Sequence, residues 1–419
     1  MLEVFLSEEQ KKFKKEVQDL VKSIPRRLIL DMDADKIKFP HEFVREMGRR
    51  NLLGLRIPKQ YGGRGLKYVD ELLAMGEIGE LGVPFVSLCT VASIVSEGLN
   101  VFGTEAQKQK YLKPLVGGKQ WAGEAFTEPR GGSDFFGSTT VAKKKGKHYL
   151  LTGQKRFIVG AEGADFFLVF AVTNPGGGRD SLSAFIVERD MGVEVRHVYG
   201  LMGNRGVGTG RIIFHDIPVP EQNLLGEENK GLKIFYQLMI PERLLNGGVG
   251  GVRCTLEIAA RYANKRQAFG QAIRNFEGVN FKIADCVTKL DAASALAYAA
   301  AKTIDEGVGT ASYHRRLASE VKKFATQTYW EVINDSIQIL GGIGYTNVFP
   351  LEKALRDLRI CLIWTGTIEV MNLIIQNEYY KEILARGIEG RDVEADVVLT
   401  EAQLAEEKIY APELISTAT

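Results

Sequence analysis

The stretch Ala125-Phe126-Thr127-Glu128-Pro129-Arg130-Gly131-Gly132-Ser133-Asp134 sits where the chain changes its hydrophobic period, and that change decides the fold. Upstream, residues 1–120 read as helix. Ser7-Glu8-Glu9-Gln10 forms a capping box ahead of Phe13, Val17 and Leu20 at helical spacing. Tyr61-Gly62-Gly63-Arg64-Gly65 reads as a turn, with helical patterns around Tyr68–Leu81 and Thr104–Leu115. Downstream, from 121 to 235, β-rich runs at His148–Thr152, Arg156–Val159, Phe166–Val172, Leu182–Val187 and Arg211–Phe214 alternate with Gly, Asn and Asp turns. From Gly231 to about Leu384 the chain is helical again, in stretches such as Arg253–Lys265, Phe281–Glu306 and Ala318–Leu340. The sequence therefore predicts an α+β protein: helices over 1–120, an antiparallel β domain over 121–235, and helices over 236–387. A polar tail over 388–419 should hold one short acidic helix, opened by Thr400-Glu401-Ala402-Gln403.

Composition excludes several classes of function. A chain of 419 residues that is 45% hydrophobic can bury a large core. Its 54 Lys and Arg nearly balance 52 Asp and Glu, which argues against nucleic acid as the main partner. Lys11-Lys12-Lys14-Lys15 falls on an amphipathic helix and Lys143-Lys144-Lys145-Lys147 at a hairpin turn, so both are expected to be solvated faces. Cys89, Cys254, Cys286 and Cys361 are scattered, as are His41, His148, His197, His215 and His314, so neither a disulfide framework nor a metal site is expected. With no secretory pattern and no run of 18 apolar residues, no spanning segment is expected and a cytoplasmic location is.

Two stretches carry candidate chemistry. In 125–134, the glycines beside Ser133 let the backbone approach a bulky planar or phosphorylated ligand. The hydroxyls of Thr127 and Ser133 can then hydrogen-bond it. A Gly-rich turn opened by Pro129 is the plainer alternative. No G-x-G-x-x-G or phosphate-loop pattern occurs, so a dinucleotide would need another fold. Ile363-Trp364-Thr365-Gly366-Thr367-Ile368-Glu369 reads as the opposite wall of the same site, with Trp364, Thr365 and Gly366 toward the substrate.

Further motifs follow in order: Gly153-Gln154-Lys155-Arg156-Phe157-Ile158, Leu201-Met202-Gly203-Asn204-Arg205-Gly206, and Val219-Pro220-Glu221-Gln222-Asn223-Leu224-Leu225-Gly226. After them come Arg266-Gln267-Ala268-Phe269-Gly270, Gln338-Ile339-Leu340-Gly341-Gly342-Ile343-Gly344-Tyr345 and Arg356-Asp357. In this series the chain to about residue 387 resembles the acyl-CoA dehydrogenase family of flavoproteins. The resemblance implies non-covalent FAD, a homotetramer, an acyl-CoA substrate and an electron-transferring flavoprotein as acceptor. It places Phe126, Thr127, Gly132, Ser133, Phe157 and Val159 around the flavin ring, with Ser133 also at the substrate. Arg266, Phe269, Gln338 and Gly342 would reach the FAD of a neighbouring subunit, and Thr367 and Glu369 the pyrophosphate and adenosine. Arg266 offers a cationic fork and Phe269 an apolar face; the alternative for Arg266 is a cap on the helix ending near Lys265.

The chain departs from this family at Phe157, where tryptophan is usual, at Val159, where a hydroxyl residue is usual, and at Glu277, where glutamine is usual. The weightiest departure is Thr365, in place of the usual catalytic glutamate, since a threonine hydroxyl is no base at neutral pH. Isovaleryl-CoA dehydrogenases carry their base on an earlier helix in a Glu-Arg pair, and Glu242-Arg243 matches that arrangement, with Arg243 at the substrate. Pro241 suggests that Glu242 opens its helix, where it could also simply stabilise the N-terminus by roughly 0.3–1 kcal/mol. Glu97 is the next acidic candidate. Burial would strengthen Glu242 as a base, and concerted β-hydride departure avoids a free carbanion. Phe85 stands where glutaryl-CoA dehydrogenases hold arginine. With the small apolar stretch Ser87–Ser96 (Leu88, Cys89, Val91, Ala92, Ile94), it points to a branched, alicyclic or aryl-substituted acyl chain. An oxidase, a cyclic diene-forming dehydrogenase and an inactive CoA- or flavin-binding scaffold are the competing readings.

Overall fold

The computed structural model describes residues 2–248 and 250–386, with scattered positions between 390 and 403. The tail over 388–419 and the capping box Glu401-Ala402 within it lie largely outside the described residues. The N-terminal helices are α1 (Glu8–Ser23), α2 (Arg26–Asp33), α3 (His41–Arg49), α4 (Tyr68–Ile78) and α5 (Val83–Phe102). The short α6 (Glu105–Gln107) continues through a π-helical turn into α7 (Lys113–Val116). Ser7 caps α1 through the expected reciprocal bonds with Gln10. Helix α5 is long and apolar enough to cross a membrane, contrary to the expectation that no such segment exists. Within the fold, 78% of its apolar window is buried, because the helix runs through the core between the later helix Gly231–Leu244 and the sheet.

The sheet contains β1 (Ala122–Ala125), β2 (Val141–Lys145), β3 (His148–Ile158), β4 (Phe166–Val172), β5 (Leu182–Glu188), β6 (Glu194–Val198), β7 (Gly210–Pro220) and β8 (Leu224–Leu225). Its order is β6-β7-β3-β2-β4-β5-β8, antiparallel except where β1 runs parallel to β4 and where Val141 meets Val172. The two runs predicted at His148–Thr152 and Arg156–Val159 are one strand, kinked where Gly153 takes a φ of 145° against Thr140. Lys143 to Lys147 do close a hairpin, and their exposure there keeps the ammoniums in water.

The C-terminal helices are α8 (Gly231–Leu244), α9 (Gly251–Lys265), α10 (Glu277–Asp305), α11 (Ala311–Leu340), α12 (Leu351–Leu358) and α13 (Ile368–Ala385), with a hairpin of β9 (Gln267–Ala268) and β10 (Gln271–Ala272) after α9. Pro241 lies inside α8, so Glu242 stands in its last turn and does not open it. The N-terminal stabilisation reading of Glu242 falls with that. Gly203 explains why its loop carries glycine: a Cβ there would fall 2.2 Å from the Arg356 carbonyl carbon. Asn204 N–H then donates to Asp357 at 2.7 Å, and Arg356 grips Asp33 at 2.9 and 3.0 Å. Loop, α12 and the end of α2 are thereby tied together.

Candidate active site

A cavity of about 970 Å³ opens between α5, α8, the rim of the sheet and the loop before α13. The helical period selects one face of α5 for it: Val83, Val86, Ser87, Thr90, Val91 and Ile94 line it. Leu88, Cys89 and Ala92, expected there, instead face the protein core. Phe85 is likewise core, edge-on to Phe43 with centroids 4.8 Å apart.

The loop that carries Thr127 and Ser133 is shaped from behind. Glu128 turns inward, where Ser138 Oγ, Thr139 N and Oγ1, and Thr140 N all donate to it, and Lys155 Nζ closes the clamp at 2.7 Å. Burial opposes its charge, but Lys155 and these donors win and hold the carboxyl at about 2. Lys155 also donates to the Phe126 carbonyl at 3.0 Å. Phe126, Thr127, Gly132, Ser133, Phe157 and Val159 then all reach the cavity wall. Phe157 holds φ at 61°, a left-handed conformation rare for an aromatic residue, with its ring exposed. Phe126, Phe135 and Phe235 stack as an aromatic wall, with centroids 3.9 to 4.6 Å apart.

Opposite them stand Glu242, Arg243, Trp364, Thr365, Gly366 and Thr367. Thr365 and Gly366 both take positive φ, and the loop is held by its carbonyls. Arg243 Nε donates to Thr365 O at 3.3 Å, and the buried Lys322 donates to Gly366 O at 2.6 Å. Glu242 keeps one buried carboxyl oxygen, Oε2, without a hydrogen-bond partner. Burial pushes this carboxyl up to about 7, against the opposing pull of Arg243 and Lys322. Burial also pulls those two cations down, to about 10 and about 8. Glu97 cannot compete as a base, because it is tied to Arg56 at 2.6 Å and to Gln237 at 2.7 Å.

Arg266, Phe269, Gln338, Gly342 and Glu369 do not line this cavity. The first four are exposed on the outer side of the C-terminal helices, and Phe269 is 96% exposed. Arg266 sits at the C-cap of α9, but its own N–H makes the capping bond and its side chain stays in solvent. Glu277 is exposed as well. The sequence pattern does not reveal Lys322, which holds the loop from behind, Asn246, which accepts from Trp364 Nε1 at 3.2 Å, or Glu124 on the cavity wall. Arg156 Nε, Thr209 Oγ1 and Thr365 Oγ1 line the cavity with no partner of their own. Hydrogen-bonding groups along a long apolar slot fit a flat ring system with polar edges, as FAD has.

Residues 7–119, 123–217 and 229–380 match, in turn, the N-terminal, middle and C-terminal domains of acyl-CoA dehydrogenases. The mitochondrial isovaleryl-CoA dehydrogenase of Pongo abelii is 35% identical over 378 residues, 88% of either chain. A 3-(aryl)acrylate reductase of Clostridium sporogenes is 32% identical over 382 residues, covering 90% of this chain and 100% of its own. Butyryl-CoA dehydrogenase from Megasphaera elsdenii superposes with a TM-score of 0.85 at 30% identity, over 90% of this chain and 99% of that one. Helices, sheet and helices enclosing one slot, with all three domain matches in order, place this chain in the acyl-CoA dehydrogenase family of FAD-dependent oxidoreductases acting on CH–CH bonds.

Proposed function

We propose that the protein removes an α-proton and a β-hydride from a branched, alicyclic or aryl-substituted acyl-CoA to give the enoyl-CoA, with Glu242 as the base. The observation that carries this is the Oε2 of Glu242, buried on the cavity wall and unpartnered, while threonine fills the loop position. Proton transfer to Glu242 leaves electron density on the acyl carbons, and expulsion of the β-hydride completes the double bond. Bound FAD supplies the two-electron acceptor for that hydride. Arg243 and Lys322 keep positive charge beside the base, and the apolar face of α5 and the stacked aromatic wall exclude water from the acyl chain.

The electrons then pass to an electron-transferring flavoprotein, and the assembly is a homotetramer. Exposure of Arg266, Phe269, Gln338 and Gly342 supports a subunit contact that completes the FAD site, so Arg266→Ala should yield soluble protein poor in flavin. The four unpaired cysteines suit a cytoplasmic setting. The direct test is anaerobic: 3-methylbutanoyl-CoA or 3-phenylpropanoyl-CoA should bleach the visible absorbance of the bound flavin. Purified, flavin-loaded protein that none of these thioesters reduces would leave an oxidase or a binding scaffold.

A further inference from the structure

A second carboxyl faces the same cavity from the opposite side. Glu124 lies on β1, and Phe126, the first residue past the end of that strand, lines the cavity beside it. Its register is locked from behind. Gly123 faces inward, where a Cβ would meet Ile158 and Phe167 at 2.9 and 3.0 Å, so a slip that swapped the faces has no room. Glu124 Oε1 is buried with no hydrogen-bond partner, and burial and then the charge on Glu242 push this carboxyl far upward. Arg243 and Lys322 act on Glu242, whereas the charge that acts on Glu124 is that of Glu242 itself.

Two buried carboxyls in one slot do not both ionise, because each charge raises the other's energy. Glu242, with two cations beside it, is the one that ionises, and Glu124 keeps its proton. A neutral carboxyl presents one O–H donor and one carbonyl acceptor. Left without a partner in an apolar wall, such a group is costly, and a native chain keeps one where something else completes it. We propose that Glu124 is a specificity-determining residue that hydrogen-bonds a hydroxyl on the acyl chain of the substrate. A hydroxyl matches it as both donor and acceptor. An ammonium would hold both carboxyls ionised and weaken Glu242 as a base.

This inference rests on the acyl-CoA reading above, and binding separates the two. Enoyl-CoA products bind without reducing flavin, so their affinity does not depend on Glu242 acting as base. Calorimetry on the flavin-loaded protein would compare cinnamoyl-CoA with its 4-hydroxy derivative, and 3-methylbut-2-enoyl-CoA with its 4-hydroxy derivative. At least one hydroxylated ligand should bind roughly tenfold tighter than its plain partner, as one neutral hydrogen bond in a buried site predicts. Glu124→Leu should erase that preference, and Glu124→Gln, which keeps a donor and an acceptor, should retain most of it. No preference in the native protein, a preference unchanged in Glu124→Leu, or tighter binding of 4-(aminomethyl)cinnamoyl-CoA, which carries an ammonium, overturns the proposal. So does a changed flavin spectrum in Glu124→Leu without loss of discrimination, which would turn this carboxyl toward the cofactor. If Glu124→Leu does not load flavin, Glu124→Ala takes its place, and the native pairs decide by themselves. Glu124-dependent selectivity without flavin reduction by the saturated thioesters, their 4-hydroxy derivatives included, leaves this inference standing and removes the dehydrogenase reading; reduction without selectivity does the reverse.

Discussion

Glu128 and Glu242 are both buried carboxyls at the cavity, and their surroundings give them opposite tasks. Glu128 stands behind the wall, gathers donors from Ser138, Thr139 and Thr140, and pairs with Lys155, so it stays ionised to about pH 2. Glu242 opens onto the cavity with Oε2 unpaired and holds its proton up to about pH 7. A saturated carboxylate shapes a loop, and a starved one is available to take a proton.

The sharpest way to break this contrast is to neutralise each group. Glu242→Gln should still bind FAD and acyl-CoA, while stopped-flow flavin reduction falls by roughly 10²-fold or more, the range for losing a positioned general base. Adding Thr365→Glu should recover part of that rate; near-normal reduction in the single variant would remove Glu242 from the chemistry. Lys155→Met should act on folding instead, costing about 3–5 kcal/mol because it strands the Glu128 charge in the interior. Chemical denaturation would measure it, and a loss below 1 kcal/mol, by that standard, would show the clamp is not a buried ion pair.

Acidity separates the two glutamates more finely. The rate of flavin reduction should climb with pH and level off above about 7, as Glu242 loses its proton. The linkage runs the other way for stability. The folded value of Glu242 lies above the unfolded one, so its contribution is present below about 4.5 and is lost as pH rises to about 7. Glu242→Gln should therefore melt higher than the wild type at pH 8 and show little difference near pH 4.5. Glu128, with its folded value depressed, stabilises above about 4.5 and loses that contribution as pH falls toward 2. The smallest effect is expected at Val159: Val159→Thr is nearly isosteric and should shift the flavin potential or reduction rate while leaving the melting temperature close to that of the wild type. Unchanged potential and kinetics would show that this side chain faces away from the ring.

Much of this was legible in the sequence because it is periodic or local. The shift from helical to strand spacing at 121 and back near Gly231, the Ser7 cap and the Lys-rich hairpin all follow from short-range pattern. The wall segments Phe126–Ser133 and Trp364–Thr367 do meet across one cavity. Helix α5 was harder to delimit, because it is apolar on nearly every face and so carries no period to read. The position of Glu242 was misread because Pro241 normally signals a helix start, yet here it sits in the last turn of α8. Lys322 and Glu124 were invisible for a different reason. Their burial is imposed by elements far away in the chain, and a charged residue at an ordinary spacing gives no local sign of it.

At its turn, the loop around Thr365 is gripped by two carbonyl oxygens, Thr365 O from Arg243 and Gly366 O from Lys322, while the Thr365 hydroxyl has no partner. Its shape is thus encoded in good part at positions 243 and 322, although the backbone is left-handed both at Gly366, at a φ of 91°, and at Thr365, at 57°. At residue 365 the side chain's chemistry is free of hydrogen-bonding duties, and the left-handed backbone there favours Gly, Asn and Asp over further β-branched residues. A saturation library there would vary what the wall presents to an acyl chain while its backbone course stays anchored, making it the natural first position for retuning substrate range.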